Sequence, residues 1–484
     1  METVKLFING EFLDNGDREM RQNINPATEE VINEFPMATE ADVEAAIDAA
    51  YEAQKSWEKV PPIERANYLM ELVRMIQERQ EVFARINTEE MGKPLAQSMD
   101  EAGWLAAYLQ YFAAQARHML GEIIPSDRPN ENILLYKMPI GVAAQIMPWN
   151  FPLFLIGRKV APALIAGCTV VLKASSDCPN GAYEFAKMVS ESSLPKGVIN
   201  VITGSGSVTG NAMAKNPKVG IVTLTGSTPA GKKVMEAAAQ NVTKVSLELG
   251  GKAPVIVMND CDLDKTIQWV YDSRIINTGQ ACNCAERVYV QEGIYDEFVK
   301  KMVARMEQTT YGPGLGGTFD MGPLVNKGQQ EHVDELVQSA IAEGATIECG
   351  GKKATVDGKG FYYEPTVVTG VTHESRIMKE EIFGPVLPIT SFKTFDEVIE
   401  LANDCEYGLT SSIYTTDYDT VMRAMNEIKF GETYVNREHF EAFQGFHQGV
   451  RGSGIGGEDG ERGLEEYLET HICYIDYDLA RNKA

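Results

Sequence analysis

Positive charge is scarce in this chain. Its 44 Lys and Arg residues face 69 Asp and Glu, a formal net charge of −25. That balance argues against binding nucleic acid or an anionic membrane, and it fits an acidic surface that keeps a protein soluble. Long apolar runs are missing as well. The most apolar stretch, residues 141–172, is broken by Pro148, Asn150, Pro152, Arg158, Lys159 and Pro162, which excludes a transmembrane helix. The start, Met1 to Leu6, carries no apolar signal-peptide run, so a cytoplasmic location with reduced thiols is expected. The six histidines form no close pair of ligands. Of the eight cysteines only Cys282 and Cys284 lie close together, and Cys-x-Cys is not a zinc spacing, so no metal site is expected. There is no internal repeat, low-complexity tract or disordered tail.

What is present is alternation. A chain of 484 residues is too long for one compact core, so two or three domains are expected. Residues 39–120 read as helical, with Ala, Glu, Leu and Met at helical spacing and proline only at Pro61, Pro62 and Pro94. Residues 140–250 then alternate between β-branched runs (Thr169 to Leu172, Val198 to Ile202) and helix-like segments such as 181–192. That order predicts βαβ units and a parallel sheet. A second alternating block runs from Pro254 to about residue 435, with Val255 to Met258, a helix over 328–342, and Val386 to Ile389. Ile133 to Tyr136 and Ile472 to Ile475 read as isolated strands. The Gly454-Ile455-Gly456-Gly457 run reads as a structural loop that lets two backbones approach.

Two segments carry chemistry. Cys282 lies in Asn277-Thr278-Gly279-Gln280-Ala281-Cys282-Asn283-Cys284-Ala285-Glu286-Arg287, and Glu248 opens Glu248-Leu249-Gly250-Gly251-Lys252. A thiolate that attacks a carbonyl, with a separate carboxylate to activate water, would need such a pair. Alone, each has an ordinary reading: a small buried thiol, and a solvated surface acid. Pro148-Trp149-Asn150-Phe151-Pro152 is an amide held between prolines, which also suits a simple turn. Gly204-Ser205-Gly206-Ser207-Val208-Thr209-Gly210 follows a strand, but its spacing is not the Rossmann Gly-x-Gly-x-x-Gly, and a plain loop fits equally. Thr225-Gly226-Ser227 also follows a strand and precedes Gly231, a place where helix-start N–H groups can hold a pyrophosphate.

Together these segments resemble the aldehyde dehydrogenase superfamily. Its nucleophile motif, Asn-x-Gly-Gln-x-Cys-x-x-x-x-Arg, is filled by Asn277, Gly279, Gln280, Cys282 and Arg287. Its base motif, Glu-Leu-Gly-Gly-Lys, is filled by Glu248 to Lys252. The resemblance runs from Phe7-Ile8-Asn9-Gly10 to the C-terminal strand. It implies an α/β fold with two doubly wound-like domains and a small discontinuous oligomerisation sheet. The expected parts are a dinucleotide-binding domain (1–118 and 139–250), a catalytic domain (251–450) and an oligomerisation domain (119–138 and 451–484). Cys282 is then the nucleophile and Glu248 the deacylation base, while Asn150 with the Cys282 N–H holds the oxyanion. A homodimer or homotetramer is implied, and Cys284 is a non-catalytic neighbour. Lys159 matches a family lysine linked to cofactor contact or proton relay.

The resemblance implies NAD or NADP as cofactor. Trp149, Lys173, Ser176, Gly206, Gly210, Gly226, Ser227, Leu249, Glu381 and Phe383 would contact it, with Glu381 on the nicotinamide ribose and Phe383 near the ring. Where NAD-using branches read Lys-Pro-Ser-Glu, this chain reads Lys173-Ala174-Ser175-Ser176. Without that carboxylate a 2′-phosphate is not repelled, although Asp177 is one residue on, so dual use is expected. The substrate end is unusually polar, with Asn283, Arg158 in place of a common Trp, and the run from Phe430 to His447. This resembles the lactaldehyde/glycolaldehyde dehydrogenase branch, with Asn283, Glu441 and His447 on the substrate hydroxyl side and Arg158 nearby. Glu438 and His439 read as surface loop residues. The alternatives are a semialdehyde dehydrogenase that reads a carboxylate with Arg158 or Arg437, an acyl-CoA-forming enzyme, and an inactive structural relative. A pocket-lining Glu441 would repel a second carboxylate, and Glu248 favours hydrolysis over thiol transfer.

Overall fold

The computed structural model describes residues 2–477; Met1 and residues 478–484, at the two ends of the expected domains, lie outside them. Two large sheets carry the fold. The first has eight strands in the order Glu11–Phe12, Phe7–Ile8, Ile199–Ile202, Thr169–Lys173, Val142–Ile146, Val219–Thr225, Lys244–Glu248, Gly454–Ile455. Its five central strands are parallel, with Val142 opposite Thr169 and Val170 opposite Ile199. The second has seven: Thr346–Cys349, Thr366–Thr369, Val386–Phe392, Arg287–Gln291, Pro254–Val257, Thr410–Tyr414, Glu432–Val435. Buried on both faces, strands such as Thr169–Lys173 and Pro254–Val257 read as continuous apolar runs rather than alternating ones.

The helical block resolves into Glu40–Trp57, Pro62–Glu78, Gln80–Met91 and Leu95–Ala114. The first starts at a capping box, where Thr39 Oγ1 accepts from the Asp42 N–H and the Thr39 N–H donates to the Asp42 carboxylate. Val43, Ala46, Ile47 and Ala50 are buried at three- and four-residue spacing. Helix Pro152–Ala166 is buried all round, with a proline at its first position, and Leu95–Ala114 packs along it.

A separate three-stranded sheet joins Leu468–Asp476, Glu131–Pro139 and Glu122–Ile124, with Leu468 opposite Pro139. Ile123, Tyr136, Ile472 and Tyr474 are exposed on it. The glycine run behaves differently from a loop: Gly454–Ile455 is a short edge strand, antiparallel to Lys244–Glu248. The close approach is real, because a Cβ on Gly454 would lie 2.1 Å from the Leu247 carbonyl oxygen. Among the described residues no helix is long and apolar enough to cross a membrane.

Candidate active site

Cys282 lies against Gly251, in the link between strand Lys244–Glu248 of the first sheet and Pro254–Val257 of the second. The loop before it takes three consecutive left-handed residues: Asn277 (φ 49°), Thr278 (φ 59°) and Gly279 (φ 74°). Two of these are not glycine, so the conformation costs energy and must be held by partners. The Asn277 amide donates to the Asn150 carbonyl (2.8 Å) and the Gln280 carbonyl (3.1 Å), and its N–H is bound by Gln97. The Gln280 amide donates to the Asn277 carbonyl (2.9 Å), while its oxygen accepts from the Val325 N–H (2.9 Å). Gly279 is obligatory, since a Cβ there would lie 2.2 Å from the Gly384 carbonyl oxygen. Asn277, Gly279 and Gln280 are thus the scaffold of a strained turn rather than reacting groups.

The glycine pair after Glu248 admits two neighbours. A Cβ on Gly250 would lie 2.6 Å from Glu381 Oε2, and one on Gly251 would lie 2.5 Å from the Cys282 carbonyl oxygen. Glu381 Oε1 accepts from the Gly251 N–H at 2.7 Å. Burial, with the Glu286 charge nearby, pushes the Glu381 carboxyl up to about 8. Glu286 itself is buried yet held low, at about 2, by Arg274 and Lys252 (2.7 Å to Lys252 Nζ). Arg287 is structural: it donates to the carbonyls of Lys252, Leu401 and Ala402.

Three cavities adjoin one another through shared lining residues. The largest, about 650 Å³, is bordered by Gly206, Gly210, Ser227 and Lys233. The next, about 220 Å³, is bordered by Trp149, Asn150, Gly226, Ser227, Leu249, Glu381, Phe383 and Cys282. The last, about 50 Å³, is bordered by Asn150, Glu248, Cys282, Asn283, Glu441 and His447. Cys282, Asn150 and Thr225 border both of the smaller cavities, so the thiol stands at their junction. Trp149 and Phe383 meet edge to face, with ring centroids 5.4 Å apart. Lys173 and Ser176 border none of the three. Lys173 is buried at a strand end, where burial lowers its amine to about 8, and Ser176 Oγ donates to the Gly204 carbonyl at 3.0 Å. Asp177 is turned toward the Asn326 amide (3.1 Å).

Asn150 is fixed from both sides. Its carbonyl accepts from Lys93 Nζ (2.9 Å) and from Asn277, and its amide donates to the Gln280 carbonyl (3.1 Å). One amide N–H remains for the cavity, and the Cys282 N–H has no partner among the described residues. Two free donors beside a thiol could together hold a negatively charged oxygen. Lys93 is paired with buried Glu101 (2.5 Å), which also accepts from the N–H groups of Leu153 and Phe154 and so caps the helix carrying Arg158.

Glu248 is 3 % exposed, and neither carboxylate oxygen has a hydrogen-bond partner. Burial drives its carboxyl up to about 8, against the pull of His447. His447 Nε2 lies 3.7 Å from Glu248, and its Nδ1 lies 2.7 Å from Glu432. Burial opposes a charge on His447, but the Glu432 carboxylate outweighs it and holds the imidazole well above its ordinary pKa. Burial likewise pushes the Cys282 thiol up, and His447 is the group that pulls it back. Cys284 is buried inert, its thiol pushed up to about 12, with Sγ against the Gly279 carbonyl.

The far wall is a buried charge cluster. Arg158 is ion-paired with Asp459, with Glu458 (3.2 Å) and with Glu441 (3.3 Å), and Lys159 is ion-paired with Glu458. Glu441 accepts from the Asn283 amide at 2.8 Å. Trp104, Phe151, Phe154 and Phe440 keep the rest of the cavity aromatic. His439 departs from the surface reading. It is buried, stacked on Tyr434 at 13°, and its Nδ1 meets the Asn283 carbonyl at 3.0 Å. Burial lowers it to about 4, so it is neutral near pH 7. Glu438 does sit at the surface, paired with Arg437. Glu458, Asp459, Lys93, Glu101 and Trp104 carry no motif signal, and Glu432 lies in the polar run from Phe430 to His447 with no role of its own assigned there. Glu458 and Asp459 follow a glycine run, and Glu432 opens a strand, positions where a carboxylate is ordinarily solvated.

A family model described as the aldehyde dehydrogenase family matches residues 12–473. The chain belongs to that family. The lactaldehyde dehydrogenase of Escherichia coli is 50 % identical over 471 residues, covering 97 % of this chain and 98 % of the relative. A D-glyceraldehyde dehydrogenase (NADP+) of Picrophilus torridus is 40 % identical over 477 residues, covering 98 % of this chain and 96 % of the relative. Among solved structures, an E. coli lactaldehyde dehydrogenase superposes with TM-score 0.97 at 49 % identity, covering 98 % of this chain and all of the other. As an aldehyde dehydrogenase, the protein oxidises an aldehyde with a nicotinamide dinucleotide. The cavities fit such a cofactor. The bordering glycines present bare backbone, helix Thr228–Ala238 points its first N–H groups at the groove, and Thr225 Oγ1 is buried without a partner.

Proposed function

We propose that this aldehyde dehydrogenase oxidises a small hydroxy-aldehyde, L-lactaldehyde or glycolaldehyde, to its carboxylic acid. The observation that carries this reading is the cavity beyond Cys282. At about 50 Å³ it holds about four water-sized groups, and its polar wall is the Asn283–Glu441 pair. A hydroxyl next to the aldehyde carbon would find an acceptor in Glu441, in a cavity also bordered by Trp104, Phe151, Phe154 and Phe440. The names of the relatives point to the same substrate class. The semialdehyde alternative is disfavoured, because Glu441 borders the cavity and Arg158 is already paired with Glu441, Glu458 and Asp459.

In this reading Cys282 attacks the aldehyde carbon as thiolate, and Asn150 with the Cys282 N–H binds the oxyanion. A bound dinucleotide would supply the hydride acceptor, and Cys282 would then carry the acyl group as a thioester. Glu248, free of other partners, takes a proton from the water that hydrolyses it. Trp149, Gly226, Ser227, Leu249, Glu381 and Phe383 would hold the nicotinamide end, and Gly206 and Gly210 the other. Lys173 and Ser176 would reach the adenosine ribose from beside the groove.

Dual use of NAD and NADP follows from Ser176 and from an Asp177 occupied by Asn326. Ser176→Glu is expected to shift preference toward NAD by roughly ten- to hundredfold, the effect of one partly screened repulsion of about 1–3 kcal/mol. The ratio of kcat/KM with the two cofactors measures it, and an unchanged ratio places Ser176 away from the ribose.

Glu441→Ala is expected to lower efficiency with lactaldehyde more than with propanal, by roughly five- to 150-fold, since a lost partner for a buried hydroxyl costs about 1–3 kcal/mol. Comparing the two aldehydes as a ratio cancels defects shared by both. Equal losses would end the hydroxyl-recognition reading.

The exposed apolar strands Glu122–Ile124, Glu131–Pro139 and Leu468–Asp476 suit a homo-oligomer contact, as dimer or tetramer. We assign residues 1–118 and 139–250 to cofactor binding, 251–450 to catalysis, and 119–138 with 451–484 to assembly. The free thiols suit the reducing cytoplasm.

A further inference from the structure

His447 is held on three sides. Its backbone exchanges two hydrogen bonds with Glu458 (2.9 and 2.8 Å), and its Nδ1 meets Glu432 Oε1 at 2.7 Å. Its Nε2 faces Glu248 Oε2 at 3.7 Å and stands close enough to Cys282 to draw the thiol's ionisation downward. Glu432 is fixed in turn by the Tyr434 hydroxyl, which donates to Oε2 at 2.5 Å. Glu432 does not border the substrate cavity, whereas His447 and Cys282 do. Arg158, Glu458 and Asp459 also face His447, but they are ion-paired within the buried cluster that includes Glu441 and Lys159.

We propose that Glu432 is a positioning residue that fixes His447 as the cationic partner of Cys282, so that the thiol is activated along a carboxylate–imidazole–thiol line distinct from Glu248. The Cys282 S–H bond breaks and its proton rests on His447 Nε2, with the Glu432 carboxylate balancing the charge. The freed sulfur pair forms the C–S bond as the carbonyl π pair moves onto oxygen; that pair re-forms C=O as the C–H pair departs as hydride, for which a bound dinucleotide would be the acceptor. When water adds to the thioester, hydroxide ends on the acyl carbon, its proton goes to Glu248 and then to solvent, and the C–S electron pair returns to sulfur beside the same imidazolium. Glu248 is thereby left to deacylation, which suits a carboxylate with no hydrogen-bond partner of its own.

The test reads the thiol without any aldehyde, so it is independent of the substrate reading. Alkylation of Cys282 by iodoacetamide is followed against pH by mass spectrometry of its peptide, in the full-length protein. Glu432→Gln is expected to move the midpoint upward by about one pH unit or more, a tenfold loss of thiolate at pH 7. It is also expected to slow the burst of reduced cofactor by a similar factor. Glu432→Asp should restore part of both. His447→Gln should give the same shift, and the double variant no further one. An unmoved midpoint in Glu432→Gln overturns the proposal, as does a shift that adds fully to that of His447→Gln. Dinucleotide binding by fluorescence reports folding. If Glu432→Gln does not fold, His447→Gln decides, and a wild-type midpoint there overturns the proposal equally.

Discussion

Cys282→Ala is expected to abolish aldehyde oxidation, by roughly 10⁴-fold or more, while the protein still binds its dinucleotide. The thiol stands at the junction of two cavities, and only the smaller end of the cofactor groove touches it. The 650 Å³ portion bordered by Gly206, Gly210 and Ser227 is remote from residue 282. Titration of cofactor fluorescence against the variant should therefore give a Kd within a few-fold of wild type, with no turnover of any aldehyde. Cys284→Ala is the control. Its sulfur is buried, faces the Gly279 carbonyl and has a thiol pushed up to about 12, so its removal should leave turnover in place. A reversal of the two outcomes would move the nucleophile to Cys284.

Glu248→Gln is expected to separate the two halves of the reaction. The first turnover still yields reduced cofactor as a burst, because the base is needed when water attacks the thioester. The steady state that follows should fall by about 10²–10⁴-fold, the usual worth of a positioned base. Rapid mixing measures both phases, and mass spectrometry should find the acyl group on Cys282. The pH profile gives a second sign. As the proposed base, Glu248 would act as carboxylate, and burial pushes its carboxyl up to about 8. Deacylation should therefore rise with pH up to about 8 and drop about tenfold for each unit below it. In Glu248→Gln that slope should vanish. A missing burst would assign Glu248 to thiol activation and would contradict the separate roles of Glu248 and His447.

The parts of this site legible in the sequence are those with a local reason to be constant. Asn277, Gly279 and Gln280 are close in sequence because one tight left-handed turn needs all of them, through hydrogen bonds spanning three residues or through lack of a Cβ. Gly250 and Gly251 are legible because the Glu381 carboxylate and the Cys282 backbone must fit against them. The sheet alternation was legible because buried parallel strands are continuous apolar runs. What stayed hidden was the electrostatic frame. Arg158 meets Asp459 across 301 positions, and His447 meets Glu432 through a fold that brings a strand start beside a loop. A carboxylate at residue 432 or 458 looks solvated until the tertiary structure removes the water. His439 misled for the same reason. Its neighbours Arg437 and Glu438 are exposed or half exposed, and the stacking on Tyr434 and the contact with the Asn283 carbonyl show that the ring turns inward.

The Arg158 cluster also bears on how this enzyme can change. Glu441, Glu458 and Asp459 share one guanidinium inside the protein, and Lys159 shares Glu458. Removing one member of a buried ion pair costs about 3–5 kcal/mol, a large part of a net stability of about 5–15 kcal/mol. A lineage drifting toward bulkier aldehydes would find the shortest route, loss of the Arg158 side chain, closed by its own partners. Changes at 158, 441, 458 and 459 are therefore conditional on one another, and their fitness effects will not add. Directed evolution that samples these positions one at a time should return mostly unfolded clones. Libraries that vary them together open routes that single steps cannot enter.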